Sequence, residues 1–66
     1  MIIEVNGEQV ALEPGATVET VLEQLALPPA GIAVALNGEV VPRSAWAETP
    51  LAPDDCVEVL TAAQGG

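Results

Sequence analysis

The dipeptide Asn-Gly occurs twice, as Asn6-Gly7 and Asn37-Gly38, each time beside short runs of aliphatic residues. A two-residue type I′ turn needs φ > 0 at both central positions, and Asn-Gly meets that need well, so each pair predicts a tight β-hairpin. A loop made of Asn6 and Gly7 pairs Val5 with Glu8, Ile3 with Val10 and Met1 with Leu12. Directly opposed residues share a face of the sheet. One face then carries Met1, Ile3, Val5, Val10 and Leu12, and the other Ile2, Glu4, Gln9 and Ala11. The separation of apolar from polar is nearly clean, which supports the hairpin.

Glu13-Pro14-Gly15 ends the second strand. Thr17 suits a helix N-cap, and Glu19 is favourably placed in the first turn. Val18, Val21, Leu22 and Leu25 fall at i, i+3, i+4 and i+7, one stripe of a helix. Pro28-Pro29 is expected to stop that helix after about ten residues. So short a helix is held by packing rather than by propensity. Ile32–Leu36 alternates as a strand, with Ile32, Val34 and Leu36 on one side and Ala33 and Ala35 on the other. After the Asn37-Gly38 turn, Glu39–Val41 pairs back briefly, since Pro42 cannot donate to a ladder. Ser44–Glu48 forms one irregular turn carrying Trp46, and Cys56–Leu60 is the last strand, with Val57 and Val59 inward and Glu58 and Leu60 outward. A helix interrupting strands that bury one apolar face gives a two-layer α+β domain.

Composition narrows the functions open to such a chain. Its 66 residues make one domain with no room for a deep catalytic cleft. Half of them are hydrophobic, which means a folded chain despite a net charge of -9. Trp46 is the one aromatic residue, so the core is aliphatic. Arg43 alone stands against ten acidic residues, which argues against nucleic acid and against an anionic membrane surface. The charge fits a basic protein partner reached by electrostatic steering, and it equally serves the solubility of an apolar small domain. With no His and only Cys56, there is no internal disulfide and no Cys/His metal site, and the acidic residues do not follow an EF-hand pattern. No apolar run reaches the ~18 residues of a membrane helix. Met-Ile-Ile-Glu lacks the basic start of a signal peptide, so a cytoplasmic setting is expected. Cys56 follows Asp54 and Asp55, whose charges raise a thiol's pKa, and is read as structural.

The last six residues, Thr61-Ala62-Ala63-Gln64-Gly65-Gly66, follow a strand that the fold has already used. They are read as a flexible tail, 61–66, on a domain of residues 1–60. Fully extended, six residues reach at most about 20 Å, far enough to carry a terminal carboxylate into a partner's pocket. Glycines without a Cβ pass through narrow channels.

The whole chain resembles the ThiS family of sulfur carriers. The resemblance rests on the N-terminal hairpin, on Thr17-Val18-Glu19-Thr20-Val21-Leu22, and on Ile32-Ala33-Val34-Ala35-Leu36-Asn37-Gly38-Glu39-Val40-Val41-Pro42-Arg43 with Trp46 three residues later. It continues through Asp55-Cys56-Val57-Glu58-Val59 to Gly65-Gly66. One departure is Asp54, where the family often has Gly. The resemblance implies a ubiquitin-like β-grasp fold: a four- to five-stranded mixed sheet, one main helix on one face, and the first and last strands parallel at the centre. It also implies a role as cosubstrate rather than catalyst. A ubiquitin-activator-like enzyme would use MgATP to adenylate the carboxylate of Gly66, with Gly65 and Gln64 in the tail beside it. A persulfide protein would supply sulfur to give a thiocarboxylate, and a thiazole synthase would take that sulfur toward thiamine. The chain itself would bind no cofactor and no metal. Related carriers for molybdopterin synthase or ubiquitin-like modification, and a β-grasp module that only binds, are the alternatives. The partner surface is expected on the sheet face opposite the helix, at Ile2, Glu4, Ala33, Ala35, Glu58 and Leu60.

Overall fold

A computed structural model describes residues 1–28 and 30–61. Five strands and one α-helix follow in the order β1 (Ile2–Val5), β2 (Glu8–Ala11), α1 (Val18–Gln24), β3 (Ile32–Leu36), β4 (Glu39–Val41) and β5 (Cys56–Thr61), with a 3₁₀ helix at Arg43–Glu48 before β5. The strands form one sheet in the order β2-β1-β5-β3-β4. β1 and β5 run parallel side by side, and every other neighbouring pair is antiparallel.

The first hairpin has the expected register: Val5 opposes Glu8 and Ile3 opposes Val10. Met1 and Leu12 extend it by exchanging backbone hydrogen bonds of 2.7 and 2.8 Å. Asn6 and Gly7 have φ of 50° and 85°, and Asn37 and Gly38 have 51° and 87°, so both pairs take the primed-turn conformation.

The helix is shorter than the spacing predicts. Thr17 caps it as expected, its Oγ1 accepting from the Thr20 amide, while the Thr20 hydroxyl accepts from the Thr17 amide. It stops at Leu25, well before the prolines. Ala26 turns left-handed, with φ 57°. The Ala26 amide donates to the Glu23 carbonyl and the Leu27 amide to the Leu22 carbonyl, the two bonds of a Schellman motif. Termination there leaves Leu25 exposed, although its spacing placed it in the core.

The core lies between the sheet and α1. Ile3, Val5, Leu12, Val18, Val21, Leu22, Val34, Val57 and Val59 are buried as expected, and Val10 and Leu36 are half-buried at its margin. Ala16, Val41, Trp46 and Leu51 complete it. Trp46 reaches it from the 3₁₀ helix, its indole Nε1 donating to the Val41 carbonyl at 2.9 Å. Trp46 therefore closes the end of the core rather than offering a platform to a ligand.

Candidate functional site

Side chains alternate across a strand, so whatever β1, β3 and β5 do not bury they display on the far face. That open face carries Ile2 and Glu4 from β1, Ala33 and Ala35 from β3, and Glu58 and Leu60 from β5. All six expected partner-surface residues thus share one face, and all but the half-buried Ala35 are exposed. The register sets them in rows: Ala35 opposes Glu58, and Ala33 opposes Leu60. β4 adds Val40 opposite Ala35. The sequence reading omitted Val40, although alternation after the Asn37-Gly38 turn already put it on the face of Ala35. At 77% and 70% exposure, Val40 and Leu60 are the most exposed large apolar side chains described. They flank a shallow depression of about 70 Å³ over Ala33, Ala35 and Glu58.

The face is divided chemically. Its β3–β4 side is small and aliphatic. Toward β1 it is acidic, with Glu4 next to Cys56 in the ladder and Glu58 two residues along β5. The Cys56 Sγ lies 3.8 Å from a Glu4 carboxylate oxygen. Partial desolvation raises the thiol's pKa, and the charges of Glu4 and Glu58 raise it further. The thiol is therefore held in its unreactive form, as expected. The acids responsible are Glu4 and Glu58 rather than the sequence neighbours Asp54 and Asp55, because pairing and alternation decide what shares a face.

Asp54 has φ 70°, the conformation that favours glycine. The Asp55 amide donates to the Ala52 carbonyl at 3.1 Å, closing a turn with Pro53 and Asp54 at its centre. Proline first and a positive φ second make it a type II turn. A glycine would take that position without strain, and Asp54 occupies it at a cost. Asp55 secures the turn, one carboxylate oxygen accepting from the Ala52 amide and the other from the Asn37 side chain.

Both turn asparagines also bind β5, a role that the dipeptide alone did not reveal. The Asn6 side chain accepts from the Val59 amide at 2.9 Å and donates to the Val59 carbonyl at 3.1 Å. The Asn37 side chain accepts from the Cys56 amide at 2.9 Å. β5 is paired through Thr61, opposite Ile32, one residue beyond the expected end of the strand. Gln64, Gly65 and Gly66 lie outside the described residues.

The ThiS family profile matches residues 2–66. The chain belongs to the ThiS family. The sulfur carrier protein ThiS of Escherichia coli is 35% identical over 61 residues, covering 92% of each chain. The sulfur carrier protein ThiS of Thermus thermophilus is 41% identical over 61 residues, covering 92% of this chain and 94% of that one. The crystal structure of the thiamine biosynthesis protein (ThiS) of Geobacter metallireducens superposes with a TM-score of 0.82 at 33% identity, covering all of both chains. The sheet order and the single covering helix are thus the α+β β-grasp fold of the ThiS family. Among the described residues no acidic or Cys cluster is arranged to hold a metal ion, and no helix is long and apolar enough to cross a membrane.

Proposed function

We propose that this chain is a cytoplasmic sulfur carrier whose reactive group is the C-terminal carboxylate of Gly66. The observation that carries the reading is the extent of the ThiS match, which runs to residue 66 and so takes in Gly65 and Gly66. A carboxylate is a poor electrophile at neutral pH. A partner enzyme holding MgATP converts it to an acyl-adenylate, releasing pyrophosphate. The terminal sulfur of a protein persulfide attacks the acyl carbon, and AMP leaves. A thiol then cleaves the resulting acyl disulfide, departs as a mixed disulfide, and leaves the thiocarboxylate on Gly66. A thiazole synthase consumes that sulfur. Adenylation and sulfur mobilisation lie on the partners, so the chain is a cosubstrate that binds no cofactor of its own.

The open sheet face supports docking of such partners. It combines the flat aliphatic ground of Ala33, Ala35, Val40 and Leu60 with the acids Glu4 and Glu58, which suits a partner surface that is apolar with a basic rim. The deciding experiment is intact-mass spectrometry after incubation with the activating enzyme, MgATP and a sulfur donor. One oxygen is replaced by one sulfur, and fragmentation places the change on Gly66. Gly66→Ala stays folded and forms far less product. A wild-type chain left unmodified, where another ThiS protein is converted, sinks the reading.

A further inference from the structure

The two edges of β5 are supported differently along its length. Consecutive backbone groups of a strand face alternate neighbours. Toward β3 the pairing is continuous from Leu36–Val57 to Ile32–Thr61. Toward β1 it is cut short. Backbone bonds join the Glu4 amide to the Asp55 carbonyl at 2.9 Å and the Asn6 amide to the Val57 carbonyl at 3.0 Å. There β1 turns away into its hairpin. The next β5 groups on that edge, the amide and carbonyl of Val59, meet no backbone partner from β1. Both are taken by the side-chain amide of Asn6, which acts as a substitute peptide group. Its position is fixed by the turn, since the same residue supplies the left-handed φ of 50°.

We infer that Asn6 is a positioning residue for the transfer reaction: its clamp on Val59 fixes the end of β5 from which the chain runs on to Gly66. The role rests on the proposed sulfur-carrier function and adds to it. Without the clamp, the end of β5 is held along one edge only. The chain then leaves β5 at Thr61 over a wider range of directions, and fewer bound molecules are oriented for adenylation. Docking itself is unchanged, because the open face retains its side chains.

The test pairs two variants. Asn6→Gly and Asn37→Gly each leave a Gly-Gly turn, which the primed conformation accepts, and each removes side-chain hydrogen bonds to β5. They differ in where on β5 those bonds lie. Amide hydrogen exchange is measured first: Asn6→Gly lowers protection of the Val59 amide by about tenfold relative to the core, and Asn37→Gly does not. Steady-state adenylation by the activating enzyme is measured next. Asn6→Gly lowers kcat by about tenfold with KM nearly unchanged, whereas Asn37→Gly matches the wild type. Equal kcat in the two variants, a loss confined to KM, or a Val59 amide that stays protected in Asn6→Gly overturns the role of Asn6 while the carrier function stands. A wild-type chain that is never adenylated overturns both.

Discussion

The two Asn-Gly turns share a dipeptide and a backbone conformation, with φ pairs of 50°/85° and 51°/87°. Their side chains nonetheless act at opposite ends of β5. Asn37 sits where the strand begins, accepting from the Cys56 amide and donating to the Asp55 carboxylate at 3.1 Å, in an exposed position. Asn6 sits near the strand's far end, and both of its bonds go to one partly buried backbone unit. The turn is a local property of two residues. The second use of each asparagine is set by which strand the topology brings alongside.

The largest effect expected from this comparison is on stability. Asn6→Ala loses two hydrogen bonds worth about 1 kcal/mol each and forces a Cβ-bearing residue without a polar group into the left-handed region, for a total of about 2–3 kcal/mol. Asn37→Ala costs about 1–2 kcal/mol, because water replaces its exposed partners more readily. Urea denaturation gives both numbers, and a loss for Asn37→Ala as large as that for Asn6→Ala breaks the distinction.

A second prediction sharpens the comparison by turning to left-handed positions occupied by neither Asn nor Gly. Ala26 at φ 57° closes the helix with no side-chain bond of its own. Ala26→Gly relieves the strain and stabilises the domain by about 1 kcal/mol, read as a raised Tm. An unchanged or lowered Tm shows that the Schellman turn is not strained there.

A smaller effect is expected at the start of β5, where Cys56 lies beside the Asn37 clamp. Its thiol pKa is raised, so the thiolate is scarce and alkylation near pH ~8 runs slower than for an unstructured peptide thiol. Glu4→Gln removes a charge and accelerates it. The sign for stability follows from the same shift. A group that holds its proton more tightly when folded contributes stability below the ordinary thiol pKa, and that contribution is lost as pH rises through the folded value. Alkylation at the rate of a free thiol counts against the Glu4 contact. The smallest effect on folding belongs to the open face: Leu60→Asp changes stability by no more than ~0.5 kcal/mol, while it weakens binding to the activating enzyme measured by calorimetry. Undiminished binding removes this face as the docking surface.

Much of this fold is legible in the sequence because its strands alternate strictly and its hairpin turns are the most recognisable kind. Ile3, Val5, Val34, Val57 and Val59 fall in the core by period alone, and the six open-face residues by the same alternation. What period could not supply came from loops and distant pairs. Leu51 and Ala16 join the core from two loops, where the Leu51 amide donates to the Ala16 carbonyl at 3.0 Å, a loop-to-loop contact with no local signature. The helix stops at Leu25 rather than at the prolines, since a Schellman turn built on Ala26 carries no glycine to announce it. The acidic neighbours of Cys56 are misassigned from sequence because adjacency along the chain stands in for adjacency on a face. The proposal that Gly66 carries the reactive carboxylate rests on membership of the ThiS family rather than on any period or pairing of the residues.

The central place of β5 also governs how the chain reaches its folded state. β5 is the last of the five strands to be synthesised, yet it separates β1 from β3. Until it arrives, the nascent chain holds two hairpins with no ladder between them, and an isolated hairpin is marginal in water. Setting Cys56 beside Glu4 closes a loop of 52 residues, an entropy loss incurred before the contacts that offset it exist. Folding of this sheet is therefore a single late event, completed only when β5 is free to pair with β1 and β3. A chain interrupted before Cys56 has no smaller stable fold to adopt, which leaves it to proteolysis and not to partial function.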